Sequence, residues 1–306
     1  MIPTLPAPVL AFADRGPAWA AYVDGLPGVL RDLVAAWTLA PEGEVWWGHA
    51  SVVLPVRDAD DAPAVLKVAY PDTETAHEAL ALQHWHGRGA VRLLRADPRR
   101  RAVLLERLER RDLTEEWDLH ACEEVGHLLG LLHVPAPPQL LLLSDYVGRY
   151  VDPLLALPRD APLPHRMVEQ CVSLLRDLVD DPASTGVMVH GDLHYENVLT
   201  RVTGGAPKWV AIDPHAMSGD PHWEPAPLLW NRWDEMAGDV RRAVRARFEA
   251  VVDAAGLDED RARAWVIVRL VLNALWTIEA AEGRRLDAGE RDWVTRMLTL
   301  VKAVHD

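Results

Sequence analysis

Asp192 stands five residues before Asn197 inside His190-Gly-Asp-Leu-His-Tyr-Glu-Asn197, and Asp213 closes the apolar run Trp209-Val-Ala-Ile212. An aspartate followed at that interval by an asparagine, flanked by strand-like apolar segments and then by a second strand-ending aspartate, is the spacing used for phosphoryl transfer from ATP. The chemistry explains the pattern. A γ-phosphoryl in flight is charge with little covalent bonding, so the protein must supply a carboxylate beside the attacking hydroxyl and oxygen donors for metal ions. Asp192 fits the first role as catalytic base. Asn197 and Asp213 fit the second, because magnesium is a hard cation that takes oxygen ligands. His190 is expected to brace the segment.

Such a site needs a positive partner for the other phosphates, and the chain has only three lysines, Lys67, Lys208 and Lys302. Lys67 lies in the apolar run Ala64-Val-Leu-Lys-Val-Ala-Tyr70, which reads as the third strand of a small sheet. A chain that otherwise writes arginine keeps a compact point charge there, and the two side chains are not interchangeable at a phosphate. A helix from a capping Thr73 to Gly87 follows, on which Glu78, Leu82 and Trp85 share one face. Glu78 is the expected partner of Lys67, with Glu74, one turn earlier, as the competitor.

The elements that must position these groups fall into two kinds. Residues 17–38 carry Trp19, Tyr22, Leu26, Leu30 and Leu33 on one helical face. Residues 44–106 alternate short apolar runs with turns, which predicts a small sheet with one helix. Val103-Leu-Leu-Glu-Arg-Leu108 would be its last strand and a hinge, where backbone groups of Glu106, Arg107 and Leu108 read an adenine edge. Beyond residue 109 apolar helices dominate, interrupted by the proline-rich stretches 134–138 and 157–164. Domains are expected at 1–107 and 108–306.

His190-Gly-Asp-Leu-His-Tyr-Glu-Asn197, Ile212-Asp-Pro214 and Gly219-Asp-Pro221 together resemble the aminoglycoside phosphotransferase family. Gly87–Asp97, Leu104-Leu-Glu-Arg-Leu108 and Asn231-Arg-Trp233 are similar to its streptomycin 6-phosphotransferase and hydroxyurea phosphotransferase branch. The resemblance covers roughly residues 43–283. It implies an α+β, protein-kinase-like two-lobed fold, with a small antiparallel-sheet N-lobe carrying one key helix and a larger, mainly helical C-lobe. By position it implies Lys67 on the ATP phosphates, Glu78 pairing it, Asp192 as base, and Asn197 with Asp213 on Mg2+. The chain departs from the family pattern at Gly43–Ser51, a phosphate-covering loop with only two glycines. It departs again at Glu224-Pro225, where relatives often have Asp-Leu, and at His215, where they often carry lysine.

Gly191 occupies the position where regulated protein kinases place an arginine that pairs with a phosphorylated loop. A glycine there, with a short segment from Asp213 to Glu224, predicts a constitutively active enzyme for a small molecule. The acceptor would be cationic and of the streptomycin type. Hydroxyurea, another antibiotic, or an amino-alcohol or sugar metabolite are the alternatives. Trp230, Asn231, Trp233, Asp234 and Glu235 are acceptor candidates, as are Trp276, Glu279 and Glu282, because carboxylates and indole faces suit cations.

The net charge of −14, from 46 acids and 32 bases, disfavours nucleic acid and anionic membranes as partners and steers cations. Cys122 and Cys171 are too few for a disulfide framework, and the N-terminus lacks a signal-peptide pattern. The most apolar stretch, Trp265–Ile278, is too short to span a bilayer and carries Arg269. A cytoplasmic protein, monomeric or weakly dimeric, is the expectation. Two rival readings have sequence support: a metal-dependent phosphoesterase, from the acid–histidine pairs at 190–194 and 219–222, and a non-catalytic kinase-like binding module. The first lacks the further acid–histidine motifs it needs, and the second leaves Lys67, Asp192, Asn197 and Asp213 unexplained.

Overall fold

The computed structural model describes residues 2–201 and 208–305. Contacts gather these into two compact units, residues 2–109 with Arg201, and residues 110–200 with 208–305.

The first unit opens with α1 (Ala7–Leu10) and α2 (Pro17–Ala36) and continues as a six-stranded antiparallel sheet. Its strands are β1 (Ala40–Pro41), β2 (Trp46–Trp47), β3 (Ser51–Arg57), β4 (Pro63–Ala69), β5 (Leu93–Asp97) and β6 (Ala102–Glu106). They run in the order β1-β3-β4-β6-β5, with β2 paired to the other part of β3. Strand β4 is central and buried along almost its whole length, which is why it reads as a continuous apolar run rather than an alternating one. Lys67 on it pairs with Val53 of β3 and Val103 of β6, so its backbone is fixed from both sides. Helix α2 buries Val23, Leu26, Leu30 and Leu33, a stripe at helical spacing that packs with Leu54, Leu66 and Leu104 of the sheet. Tyr22 Oη donates to Val68 O at 2.9 Å, and the Trp19 ring stacks on Tyr70 at 3.7 Å.

Two expectations need correction here. Lys67 sits on the fourth strand in chain order, because the short β1 pairs with Val56 and Arg57 ahead of the others. Thr73 does not cap the helix; the Asp72 carboxylate accepts from Thr75 N at 2.8 Å, a 3-10 turn covers Thr75–His77, and α3 spans Glu78–Trp85. A carboxylate accepts a backbone N–H better than a hydroxyl does. At its other end α3 closes on His86 and Gly87, both at positive φ.

The second unit contains β7 (Glu109–Asp112), α4 (Asp118–Leu132), β8 (Val134–Pro135), α5 (Leu143–Gly148), α6 (Val151–Leu155) and α7 (His165–Asp180). It continues with β9 (Val187–Val189), β10 (Val198–Arg201), β11 (Lys208–Ala211), β12 (Met217–Gly219), α8 (Ala226–Trp230), α9 (Val240–Ala255), α10 (Glu259–Ala280) and α11 (Ala288–His305). Two three-stranded sheets, β11-β10-β7 and β12-β9-β8, hold the segments on either side of Asp192. The first proline-rich stretch is therefore not a simple break, since Val134 and Pro135 pair with Met188 and Val187. Helix α10 is buried on most of its circumference, from Trp265 to Leu275, as a helix apolar all round must be. Among the described residues no helix is long and apolar enough to cross a membrane. Cys122 and Cys171 are buried and free.

Candidate active site

In the first unit, Lys67 Nζ lies 2.7 Å from Glu78 Oε1, with 6 % and 5 % of the two side chains exposed. Placing Glu78 at the first residue of α3 turns it inward, whereas Glu74 is exposed. Removing two charges from water is costly, and only close pairing offsets that cost. A lysine held this way presents a fixed positive charge.

The predicted hinge is partly used by the fold itself. Glu106 N donates to Arg92 O at 3.0 Å, so its amide is not available to a nucleobase. The Glu106 carboxylate accepts from Arg92 N at 2.7 Å and from Arg201 Nε at 3.1 Å. The Arg107 guanidinium reaches Glu42 Oε2 at 2.7 Å and also bonds Val56 O, which makes that side chain structural. Leu108 is half-buried beside it. The predicted phosphate-covering segment forms a tight turn between β2 and β3, closed by Gly48 N to Ser51 O at 3.0 Å. Arg15 donates to His49 O at 2.6 Å across that turn.

In the second unit the segment 190–197 is bonded to itself and to its surroundings at nearly every polar atom. Asn197 Nδ2 donates to Asp192 O at 2.9 Å and sits 3.5 Å from Asp192 Oδ2. Ile212 N donates to Asn197 O at 2.9 Å, which ties the residue before Asp213 to the same loop. Asp213 adopts φ 57°, an uncommon left-handed geometry for a non-glycine residue. His190 is fully buried; its Nδ1 accepts Asp192 N–H at 3.3 Å, so Nε2 carries the proton and donates to Ile212 O at 3.0 Å. Burial pushes the His190 imidazole down to about 3, so it is neutral at physiological pH and braces the loop. Both ring nitrogens are thereby used, which leaves no metal ligand for the phosphoesterase reading at His190.

Glu224 is the buried anchor of this loop. Its carboxylate accepts from the backbone N–H of His190 and, at 3.1 Å, of Gly191. Complete burial raises its pKa to about 7, against the opposing pull of Arg269 and the two amides. From α10, the Arg269 guanidinium bonds Gly191 O and Trp223 O, lies 3.8 Å from Asp192 Oδ1, and stacks over the Trp223 ring at 4.5 Å. His194 Nε2 stands 3.6 Å from Asp192 Oδ2, and 27 % of the Asp192 side chain remains exposed. Gly191 has φ 83°, and an added Cβ would press into the His215 carbonyl, so the position excludes side chains on two grounds. Asp220 of the Gly-Asp-Pro motif is structural: it accepts from Trp265 Nε1 at 2.6 Å and Arg261 Nε at 2.6 Å.

Sequence reasoning missed Arg269 and Glu224 as supports. The signal for Arg269 was present, since a lone charge within an apolar helix demands buried partners. For magnesium, the donor set fits. Asn197 commits its Nδ2 to Asp192, which leaves the oxygen Oδ1 with no protein donor among the described residues, and Asp213 adds a carboxylate.

The acceptor candidates stand at two places. Trp230, Asn231 and Asp234 line an open pocket of about 420 Å³ with Trp293 and Arg296. Trp276 lies instead on α10 against Tyr146 and Tyr150, with ring centroids 6.2 and 5.7 Å away. Glu279 on the same helix and Glu282 just past its end are both exposed.

The sequence profile of the family described as aminoglycoside/hydroxyurea antibiotic resistance kinase matches residues 36–281. A streptomycin 6-kinase of Streptomyces glaucescens is 40% identical over 276 residues, covering 88% of this chain and 87% of that protein. A hydroxyurea phosphotransferase of Kitasatospora aureofaciens is 37% identical over 277 residues, covering 87% and 77%. Among solved structures, choline kinase LicA from Streptococcus pneumoniae superposes with a TM-score of 0.63 at 14% identity, over 91% of this chain and 99% of that one, which shows a shared fold.

Proposed function

Because the chain belongs to the aminoglycoside/hydroxyurea antibiotic resistance kinase family and has the protein-kinase-like α+β fold, we propose that it inactivates a streptomycin-like aminoglycoside by phosphorylating one of its hydroxyls with ATP. The observation that supports the site assignment most directly is the pair of bonds from Asn197 Nδ2 to Asp192 O and from Ile212 N to Asn197 O, both 2.9 Å. They tie Asp192, Asn197 and the residue before Asp213 to one short stretch of backbone, which supports reading the three as one site.

In this reading residues 2–109 form the nucleotide-binding lobe and the second unit the catalytic and acceptor lobe. Lys67, steadied by Glu78, contacts the phosphates. Backbone groups of Arg107 and Leu108, with the carbonyl of Glu106, read the adenine edge. Asn197 Oδ1 and the Asp213 carboxylate would hold Mg2+, which offsets phosphate charge when bound. Asp192 accepts a hydrogen bond from the acceptor hydroxyl and orients it for in-line attack. As the new P–O bond forms and the bond to ADP breaks, the hydroxyl proton passes to the Asp192 carboxylate. The acceptor is a small cation, and the enzyme works in the cytoplasm, where ATP is available.

Measuring ADP release, and phosphorylated product by mass, across streptomycin, other aminoglycosides, hydroxyurea and amino alcohols tests this. Streptomycin-dependent turnover is expected. Turnover with hydroxyurea alone would move the assignment to the other branch, and no turnover with any acceptor would leave a binding module.

A further inference from the structure

We propose that Tyr146, Tyr150 and Trp276 form a subsite for a guanidinium or ammonium group of the acceptor, some distance from the hydroxyl that reacts; this rests on the phosphotransferase reading above. One stripe of α10 runs alongside the catalytic segment. Arg261 and Trp265 bond Asp220, and Arg269, one turn further, reaches Gly191 O and the Asp192 carboxylate. Trp276 follows Arg269 by seven residues, so it lies on the same face of α10, about two turns or ~10 Å of helix rise beyond Arg269.

There it meets Tyr146 and Tyr150, whose rings are 6.3 Å from each other. The three interplanar angles are 60°, 65° and 77°, so none of the rings is stacked flat on another, and all three side chains are partly exposed. Ring faces carry the negative lobe of the aromatic quadrupole and attract cations. The protein already supplies a stand-in: the Arg149 guanidinium sits 4.6 Å from the Tyr146 centroid and 5.1 Å from that of Tyr150. A second observation points the same way. Trp276 Nε1 is a buried donor that no described group accepts, and an oxygen of a bound molecule would supply its acceptor. Exposed Glu279, on the next turn, adds negative charge.

The spacing selects a ligand class. A molecule with its hydroxyl at Asp192 and its cation on these rings must be extended, because Trp276 stands two helical turns beyond the residue that reaches Asp192. An aminocyclitol bearing guanidinium arms is. Hydroxyurea, with one carbon, is not, so the subsite favours the extended acceptor.

Steady-state kinetics with streptomycin and with hydroxyurea, on the full chain and on Tyr146→Leu, Tyr146→Phe and Trp276→Leu, test the proposal. The leucine variants should raise KM for streptomycin about tenfold or more while kcat and KM for ATP stay within about threefold. Tyr146→Phe keeps the ring face and should stay within about twofold of the parent. Any hydroxyurea turnover should be unaffected. An unchanged streptomycin KM in folded leucine variants, or a parallel rise in KM for ATP, overturns the subsite. If the unaltered chain phosphorylates neither compound, the functional assignment itself fails, which is a different result from an active enzyme indifferent to Tyr146. Calorimetric binding of streptomycin to Asp192→Asn, with and without Tyr146→Leu, separates affinity from chemistry, and equal affinities would also overturn it.

Discussion

Lys67–Glu78 and Asp192 are both charged sites on strand-bordered backbone, yet they are held in opposite ways. The lysine and its carboxylate are 11 residues apart and need only one strand and one helix. Asp192 is oriented by a bond from Asn197 five residues away, by Glu224 through amides 33 and 34 residues distant, and by Arg269 across 78 residues. The Lys67–Glu78 pair, proposed to face the nucleotide, is thus a local device that depends on the two-sided pairing of β4. Asp192, the proposed base, depends on the whole helical unit, so perturbations far from it in sequence should reach the chemical step of the proposed reaction.

The sharpest break in this contrast is at the base itself. Asp192→Asn should lower kcat by roughly 10²–10⁴ and leave KM for ATP and the melting temperature nearly unchanged. An equal loss of ATP affinity would contradict the role. Lys67→Met should raise KM for ATP and also destabilise the first unit by about 3–5 kcal/mol, because it strands a buried carboxylate. The Lys67→Met/Glu78→Met double variant should recover most of that stability without recovering turnover, as chemical denaturation and kinetics would show together.

A pH experiment separates the two buried groups around Asp192. Glu224, raised from its ordinary 4.5 to about 7, contributes stability that is complete below about 4.5 and lost as pH rises through 7. His190, lowered from its ordinary 6.5 to about 3, contributes stability present above 6.5 and lost as pH falls toward 3. Between these values the two effects oppose each other. Glu224→Gln should therefore make unfolding stability fall more steeply on acidification below 6.5 than in the parent, by up to about 1.4 kcal/mol per pH unit. Parallel stability curves would contradict the opposition. The smallest effect is expected at Arg269→Lys, which keeps the charge but loses the planar fork; kcat should fall about tenfold with KM for ATP unchanged. An equal fall in ATP use would remove the distinction between the two regions.

The same contrast explains what the sequence made legible. The Lys67–Glu78 pair and the Asn197–Asp192 bond were readable because their partners lie within a few elements of one another. The apolar face shared with Leu82 and Trp85 favoured Glu78 but left Glu74 as a competitor, and the 2.7 Å pair with Lys67 in the structure is with Glu78. The family resemblance and the α+β class were readable from the same motifs, and the comparisons bear both out. The cap at Asp72 was misread as Thr73 because adjacent polar residues compete for one turn, and register decides between them. Arg269 and Glu224 could not be paired with the loop from spacing alone, since burial against residues tens of positions away carries no periodic signature. Tyr146 and Tyr150 were invisible for the same reason, as only the fold brings α5 to Trp276.

Gly191 sets a limit on how this protein could change. Glycine and arginine codons differ by as little as one nucleotide, so mutation alone offers an easy path to the phosphate-sensing arginine of regulated kinases. The His215 carbonyl oxygen, which would overlap the first side-chain atom, closes that path. Bringing the chain under covalent control would require moving the neighbouring backbone first.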